Sequence, residues 1–213
     1  MRYSRIPGIA DPISRCVLGT SGIRSEDKHR LLDAFLEAGG NCIDTARAYG
    51  GGSAEQSVGG WIRKVKPDGL IVIAKGAHPP NCRPEMVSIE LTESLEKLGI
   101  DRADLYLLHR DDPSIPVAEF VDALDAEVAT GRIGAYGASN WGQQRLAEAN
   151  AYAAEQLAST GMVALSNHFS LALPKEPLIR AANPCRPNCA NTSRKMISDC
   201  FPGRRRREAS LPR

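Results

Sequence analysis

Short apolar runs alternate with amphipathic helical segments along most of this chain, and that alternation limits the fold more than any other feature. A polar residue closes successive runs at steps of 28 to 34 residues. Each step has the length of one strand–helix unit, so the pattern predicts a parallel sheet covered by helices. The strand-like runs are 16–20, 42–44, 70–75, 104–109, 132–138 and 163–165, and the closing residues are Asp44, Lys75, His109, Ser139 and Asn167.

Two architectures fit this pattern, a doubly wound sheet and a barrel. The segment Leu18-Gly19-Thr20-Ser21-Gly22 lacks the glycine spacing of a dinucleotide-binding fingerprint, which disfavours the doubly wound sheet. In a (β/α)8 TIM barrel the carboxyl ends of all strands meet at one mouth, where catalysis takes place. The polar strand ends therefore favour an α/β barrel of the (β/α)8 type. About six of its units are readable, so we expect an incomplete barrel.

The composition changes sharply after residue 173. Residues 174–213 hold ten Lys or Arg and three acidic residues, whereas the first 173 hold 17 and 22. The later segment also contains six prolines and no readable strand, which is typical of disorder. We therefore predict a partial barrel over residues 1–173 and a basic, Pro/Arg/Cys-rich tail over 174–213. A shifted reading frame or a wrong exon would explain the change, and the other frames of the coding DNA test that hypothesis.

The tail offers two functional interpretations, both of which we disfavour. Cys185, Cys189 and Cys200 lack a fourth ligand at zinc-site spacing, so no metal is expected. The basic block 204–207 is typical of a nuclear signal or a nucleic-acid contact, but we interpret it as a solvated end and expect no nucleic-acid partner. No run approaches about 18 apolar residues and the first residues lack an apolar signal core, so we expect no membrane partner and a cytoplasmic location.

The polar strand ends form a chemically meaningful set when placed at one mouth. A tyrosine hydroxyl titrates near ~10, too high for efficient acid catalysis at neutral pH, and a neighbouring ammonium lowers that value. Tyr49 is the candidate acid, Lys75 the candidate ammonium and Asp44 the group that holds Lys75. His109 would donate a hydrogen bond to a substrate carbonyl. The set would polarise a carbonyl and protonate its oxygen, while hydride must come from a cofactor.

Four segments of the chain resemble the aldo-keto reductase family. They are residues 44–50, 107–110, 131–140 and 165–167, which read DTARAYG, LLHR, GRIGAYGASN and LSN, and Lys75 also matches. The resemblance spans about residues 12–173 and implies a (β/α)8 barrel that uses NADPH, with NADH as the other possibility. It implies that Tyr49 is the general acid, that Lys75 and Asp44 tune it, and that His109 orients the carbonyl.

The resemblance also implies a set of cofactor-binding residues. Ser139 and Asn140 match the pair that binds the nicotinamide carboxamide. Asn167 stands where the family usually has Gln, a longer amide. Gly19 and Thr20 match the end of the first strand, which lies near the cofactor.

The expected function is reduction of an aldehyde or ketone to an alcohol, or the reverse reaction. The alternative is a non-catalytic, truncated barrel fragment or an accessory binding subunit. In the family the seventh and eighth strand loops hold the adenosine 2'-phosphate and pyrophosphate, and the sequence shows no counterpart, so we expect weak or no NADPH binding by this chain alone. The sequence does not indicate which carbonyl is the substrate or which oligomeric state the protein adopts. Trp141 is a candidate pocket residue, and Trp61 is predicted to pack beneath a helix.

Overall fold

The structure, a computed structural model, describes residues 1–23 and 25–167, except the side chains of residues 25 and 26. The compact unit spans Met1–Ser166. The predicted division at 173/174 and all predictions for the tail lie outside the described residues. The strands are β1 (Tyr3–Ser4), β2 (Ile13–Ser14), β3 (Leu18–Gly19), β4 (Cys42–Asp44), β5 (Ile71–Gly76), β6 (Ala103–Leu108), β7 (Ile133–Ser139) and β8 (Met162–Ser166), and the helices are α1 (Ser25–Glu37), α2 (Ser53–Val65), α3 (Glu85–Leu98), α4 (Val117–Ala129) and α5 (Gln143–Glu155), with a 3-10 helix at Tyr49–Gly52.

Strands β3 to β8 form one parallel sheet of six strands in sequential order. A helix lies between each pair of consecutive strands along the chain. This order is typical of a barrel, because a doubly wound sheet reverses its strand order at a switch point. The first predicted strand, 16–20, is shorter than expected. Its partner β4 offers only three residues, and the pairing is limited to Leu18 with Ile43 and Gly19 with Asp44.

Helix α3 shows how local sequence sets the element boundaries. Pro84 precedes its first residue, where a missing N–H is tolerated. Gly99 ends it in the left-handed region at φ 67° and donates its N–H to the Leu95 carbonyl. Val87 and Leu91, four residues apart, are completely buried on one face. None of the described helices is both long and apolar enough to span a membrane.

The sheet separates two apolar layers because successive side chains of a strand point to opposite faces. Alternate strand residues such as Ile71 and Ile73 belong to the inner cluster, whereas Val72 between them packs with the helices. The inner layer also contains Cys42, Leu105, Leu107 and Ala135, and the outer layer contains Leu32, Ile43, Val58, Trp61 and Leu98. Trp61 is 1% exposed, which agrees with its predicted packing role.

A short antiparallel hairpin, β1 with β2, precedes the sheet and was not predicted. Each strand has two residues, too few for a periodic signal. The hairpin connection nevertheless contributes Ile9, and β2 contributes Ile13, to the inner cluster. The chain before the first barrel strand is therefore part of the inner core.

The same two-residue period places the polar strand ends. Asp44, Lys75 and His109 each follow an inner-cluster residue by two positions, namely Cys42, Ile73 and Leu107. Because the strands are parallel, these three side chains face the inner side at the same, carboxyl edge of the sheet.

Candidate active site

Lys75 is the centre of the polar cluster at this edge. It is 4% exposed near the end of β5. Its Nζ donates hydrogen bonds to Asp44 Oδ1 at 2.5 Å and to the Tyr49 hydroxyl at 2.7 Å. The same Nζ lies 4.9 Å from the centroid of the Tyr49 ring. One buried ammonium thus contacts both a carboxyl group and a phenol.

Asp44 ends β4 and is held by its backbone as well as by Lys75. The Thr20 N–H and hydroxyl both donate to the Asp44 carbonyl, at 2.9 and 3.0 Å. Burial raises the pKa of the Asp44 carboxyl, and the charge and hydrogen bond of Lys75 oppose that rise. Lys75 therefore keeps a buried carboxyl group closer to its ionised form.

Tyr49 reaches Lys75 because the chain turns sharply after β4. Its N–H donates to the Ala46 carbonyl at 3.0 Å and it begins the 3-10 helix. Gly50 and Gly51 adopt φ 58° and 64°, a left-handed conformation that glycine enters without steric penalty. The turn over residues 46–49 thus brings the phenol back over the strand ends, and the glycines let the chain continue from Tyr49 into α2.

His109 completes the cluster one residue beyond β6. It is 6% exposed, and its ring meets the Tyr49 ring edge-on at a centroid distance of 5.6 Å. Burial, followed by the positive charge of Lys75, lowers the pKa of His109 to about 3. The imidazole is therefore neutral at pH 7. Its Nδ1 is buried without a hydrogen-bond partner in the part of the chain that the structure describes.

Ser139 and Asn140 lie beside His109 at the end of β7. Asn140 Nδ2 donates to the His109 carbonyl at 3.2 Å and to Ser139 Oγ at 2.9 Å. The Ser139 hydroxyl in turn donates to the Ser166 carbonyl at 2.7 Å. Asn140 adopts φ 61°, a conformation that Asn tolerates better than most residues. These contacts join the ends of β6, β7 and β8.

The predicted site residues fall into one connected group and a few neighbours. Asp44, Tyr49 and Lys75 are in direct contact, His109 packs against Tyr49, and Asn140 bonds to the His109 backbone. Among the neighbours, Thr20 is bonded to Asp44, Gly19 is exposed opposite Asp44 in the β3–β4 ladder, and Asn167 follows β8 directly and is half-buried.

The structure changes two points of the sequence interpretation. His78 was not predicted, yet its ring lies 4.9 Å from the His109 ring, edge to face. The available signal was its position three residues after Lys75, in the loop that follows the same strand. Trp141 does not line an open pocket, so that prediction is wrong. It is completely buried against Phe120 and donates its indole N–H to the Arg110 carbonyl at 3.1 Å.

Comparison with known proteins yields consistent matches. Residues 16–188 match the Aldo/keto reductase family. A 6-dehydroglucose reductase of Novosphingobium aromaticivorans is 30% identical over 155 residues, covering 67% of this chain and 51% of that protein. Aldo-keto reductase str7 of Strobilurus tenacellus is 33% identical over 143 residues, covering 63% and 42%. The chain thus spans about half the length of the curated relatives it matches.

Solved structures give the same result for the fold. A thermostable aldo-keto reductase, crystallised with the inhibitor epalrestat, superposes with a TM-score of 0.69 at 30% identity. The match covers 78% of this chain and 62% of that chain. The six-stranded parallel sheet therefore corresponds to part of a (β/α)8 barrel, which confirms the predicted fold class.

Proposed function

Because this chain belongs to the aldo/keto reductase family, we propose that it takes part in the reversible reduction of an aldehyde or ketone to an alcohol, with Tyr49 as the proton donor. The observation that carries the proposal is the pair of contacts made by Lys75 Nζ, 2.7 Å from the Tyr49 hydroxyl and 2.5 Å from Asp44. Small-molecule carbonyls are the corresponding substrate class.

Tyr49 and Lys75 supply the acid chemistry in this proposal. As the carbonyl is reduced, its oxygen becomes an alkoxide and takes the proton of the Tyr49 hydroxyl. The phenolate left behind is stabilised by the ammonium of Lys75 at hydrogen-bond distance. Asp44 offsets the charge of Lys75 and fixes its position, so that the ammonium faces the phenol before substrate arrives.

His109 acts as a neutral hydrogen-bonding group rather than as a cation. Its lowered pKa, about 3, leaves the ring uncharged at pH 7. A neutral imidazole donates one hydrogen bond, and the edge-on packing against Tyr49 places the ring next to the proposed proton donor. We propose that it orients the carbonyl so that its oxygen faces the Tyr49 hydroxyl.

The cofactor in this proposal is a nicotinamide nucleotide, with NADPH preferred over NADH. When bound, it supplies the hydride that no side chain can provide. The hydroxyl of Ser139 and the amide of Asn140, at the sheet edge beside His109, have donors and acceptors complementary to a carboxamide. Gly19, Thr20 and Asn167 complete the proposed cofactor contacts. A cytoplasmic location belongs to the same proposal.

The alternative proposal is a non-catalytic fragment or an accessory binding subunit. The chain spans only 42% to 51% of the two curated relatives described above.

Oxidation of excess NADPH in the presence of a generic aldehyde, with detection of the alcohol product, tests the proposal. Tyr49→Phe keeps the ring and removes the proton, so kcat should fall by roughly 100-fold or more. Tyr152→Phe is the matched control, because that hydroxyl bonds to Asp122 on the surface. An unchanged rate in Tyr49→Phe contradicts the acid role. A folded wild-type chain that forms no alcohol contradicts the proposed activity.

A further inference from the structure

The peptide that links Gly76 to Ala77 is engaged at both of its polar atoms. Its carbonyl accepts the His109 N–H at 2.7 Å, and its N–H donates to Glu90 Oε2 at 2.6 Å. This peptide lies one residue beyond Lys75 along the chain. It therefore joins the backbone that carries Lys75 to the backbone that carries His109, and Glu90 holds it from the opposite side.

The conformation at this point needs support from its surroundings. Ala77 adopts φ 55°, a left-handed conformation that a residue with a side chain rarely occupies. On the outer side of β5, a Cβ at Gly76 would overlap the Tyr106 hydroxyl. Glycine therefore fits beside Tyr106 where a residue with a Cβ would overlap it, and the chain continues through the left-handed Ala77.

Glu90 is placed to maintain that turn. It is 6% exposed on α3, and besides Ala77 it accepts a hydrogen bond from Asn81 Nδ2 at 3.1 Å through its other oxygen. One buried carboxyl group thus binds both residue 77 and residue 81 of the loop between β5 and α3. The contact reaches the site through the backbone alone.

We propose that Glu90 is a positioning residue, which sets the placement of Lys75 relative to His109 by holding the Gly76–Ala77 peptide. The inference rests on the proposed function, because it assigns Glu90 to the same reaction. Without the carboxyl group, the Ala77 N–H loses its acceptor and the peptide is free to rotate. Rotation withdraws the Gly76 carbonyl from the His109 N–H. The ends of β5 and β6 then lose the hydrogen bond that holds Lys75 and His109 in a fixed relative position.

Amide hydrogen exchange in the ligand-free chain tests the structural step. In Glu90→Ala the His109 amide should exchange at least tenfold faster than in the wild type, while the Leu105 and Leu107 amides of the same strand serve as internal references. Glu90→Gln should restore slow exchange, because its amide oxygen can accept the Ala77 N–H and the Asn81 amide can turn its oxygen toward the new NH2 group. If Glu90→Ala does not fold, Glu90→Asp is measured in its place, because the shorter side chain draws the carboxyl group back by one methylene.

Glu127 provides the matched control. It is also 6% exposed on a helix, and it pairs at 3.4 Å with Arg132, which directly precedes β7 and so lies at the opposite end of the strand from the site. Glu127→Ala should leave the relative exchange of His109 unchanged. Equal exchange of His109 in the Glu90 and Glu127 variants, relative to the internal references, overturns the proposal.

Kinetics separate a positioning role from a purely structural one. Misplacement of catalytic groups lowers kcat more than it changes KM, and we expect kcat to fall roughly 10- to 100-fold in Glu90→Ala with recovery in Glu90→Gln. A rise in KM with unchanged kcat contradicts the role. If the wild-type chain forms no alcohol, the proposed function fails, while the exchange measurement still decides whether Glu90 positions His109.

Discussion

Replacing Lys75 with Met would leave the Asp44 carboxyl group buried without its cation. The Asp44 side chain is 17% exposed, and Lys75 Nζ is bonded to it at 2.5 Å. Burial already raises the pKa of Asp44, and Lys75 opposes that rise. Lys75→Met should therefore raise this pKa further and lower the free energy of unfolding, by an amount that depends on pH.

The sign and size of the loss follow from proton linkage. With a raised pKa, the folded carboxyl group keeps a proton that the unfolded chain releases above its ordinary pKa of about 3.9. In Lys75→Met, the contribution of Asp44 to the free energy of unfolding is therefore fully present below about pH 3.9. It decreases as the pH rises toward and through the folded pKa. One pKa unit corresponds to about 1.4 kcal/mol, so the loss is limited to about 4 kcal/mol at pH 7 and to below about 1 kcal/mol at pH 4.5. Breaking a buried ion pair from one side has a similar magnitude.

Urea unfolding at pH 7 and at pH 4.5 measures this loss. The two proteins compared are Lys75→Met and the double variant Asp44→Asn/Lys75→Met. Both proteins lack Lys75 and contain His109, so the titration of His109 affects both alike. The double variant should be more stable by up to about 4 kcal/mol at pH 7 and nearly equal at pH 4.5. A gap that is absent, or that is the same at both pH values, would refute the argument that Asp44 is a buried charge sustained by Lys75.

Three further predictions concern His109, Tyr106 and Gly76. The pKa of His109 is lowered to about 3, so the unfolded chain binds a proton that the folded chain does not, and the free energy of unfolding should fall as the pH decreases from about 6.5 to about 3. His109→Gln should remove most of this slope in urea titrations, and an unchanged slope would show that another group causes it. The Tyr106 hydroxyl is completely buried and has no hydrogen-bond partner among the described residues, so Tyr106→Phe should stabilise the chain by about 1 kcal/mol. Gly76→Ala should destabilise the wild type more than it destabilises Tyr106→Phe, and strictly additive effects in thermal unfolding would contradict the predicted overlap.

The alternation of strands and helices could be predicted from the sequence because it is a local signal. Buried runs such as β5 are nearly all apolar, and the spacing of Val87, Leu91 and Leu98 marks the buried face of α3. The hairpin of β1 and β2 could not be predicted, since two-residue strands show no period. The burial of Trp141 also escaped prediction, because a single aromatic residue carries no sign of what covers it.

The sequence alone located the polar residues to within one position of the strand ends, and the two-residue period then places Asp44, Lys75 and His109 on one face of a parallel sheet. The tertiary structure decided what those residues touch. Tyr49 reaches Lys75 through the turn over residues 46–49, His78 meets His109 across two loops, and Glu90 binds the Ala77 backbone from α3. The physical reason is that periodicity reports the direction of a side chain relative to its own element. Hydrogen bonds within about 3 Å depend instead on how separate elements pack, which no single stretch of sequence encodes.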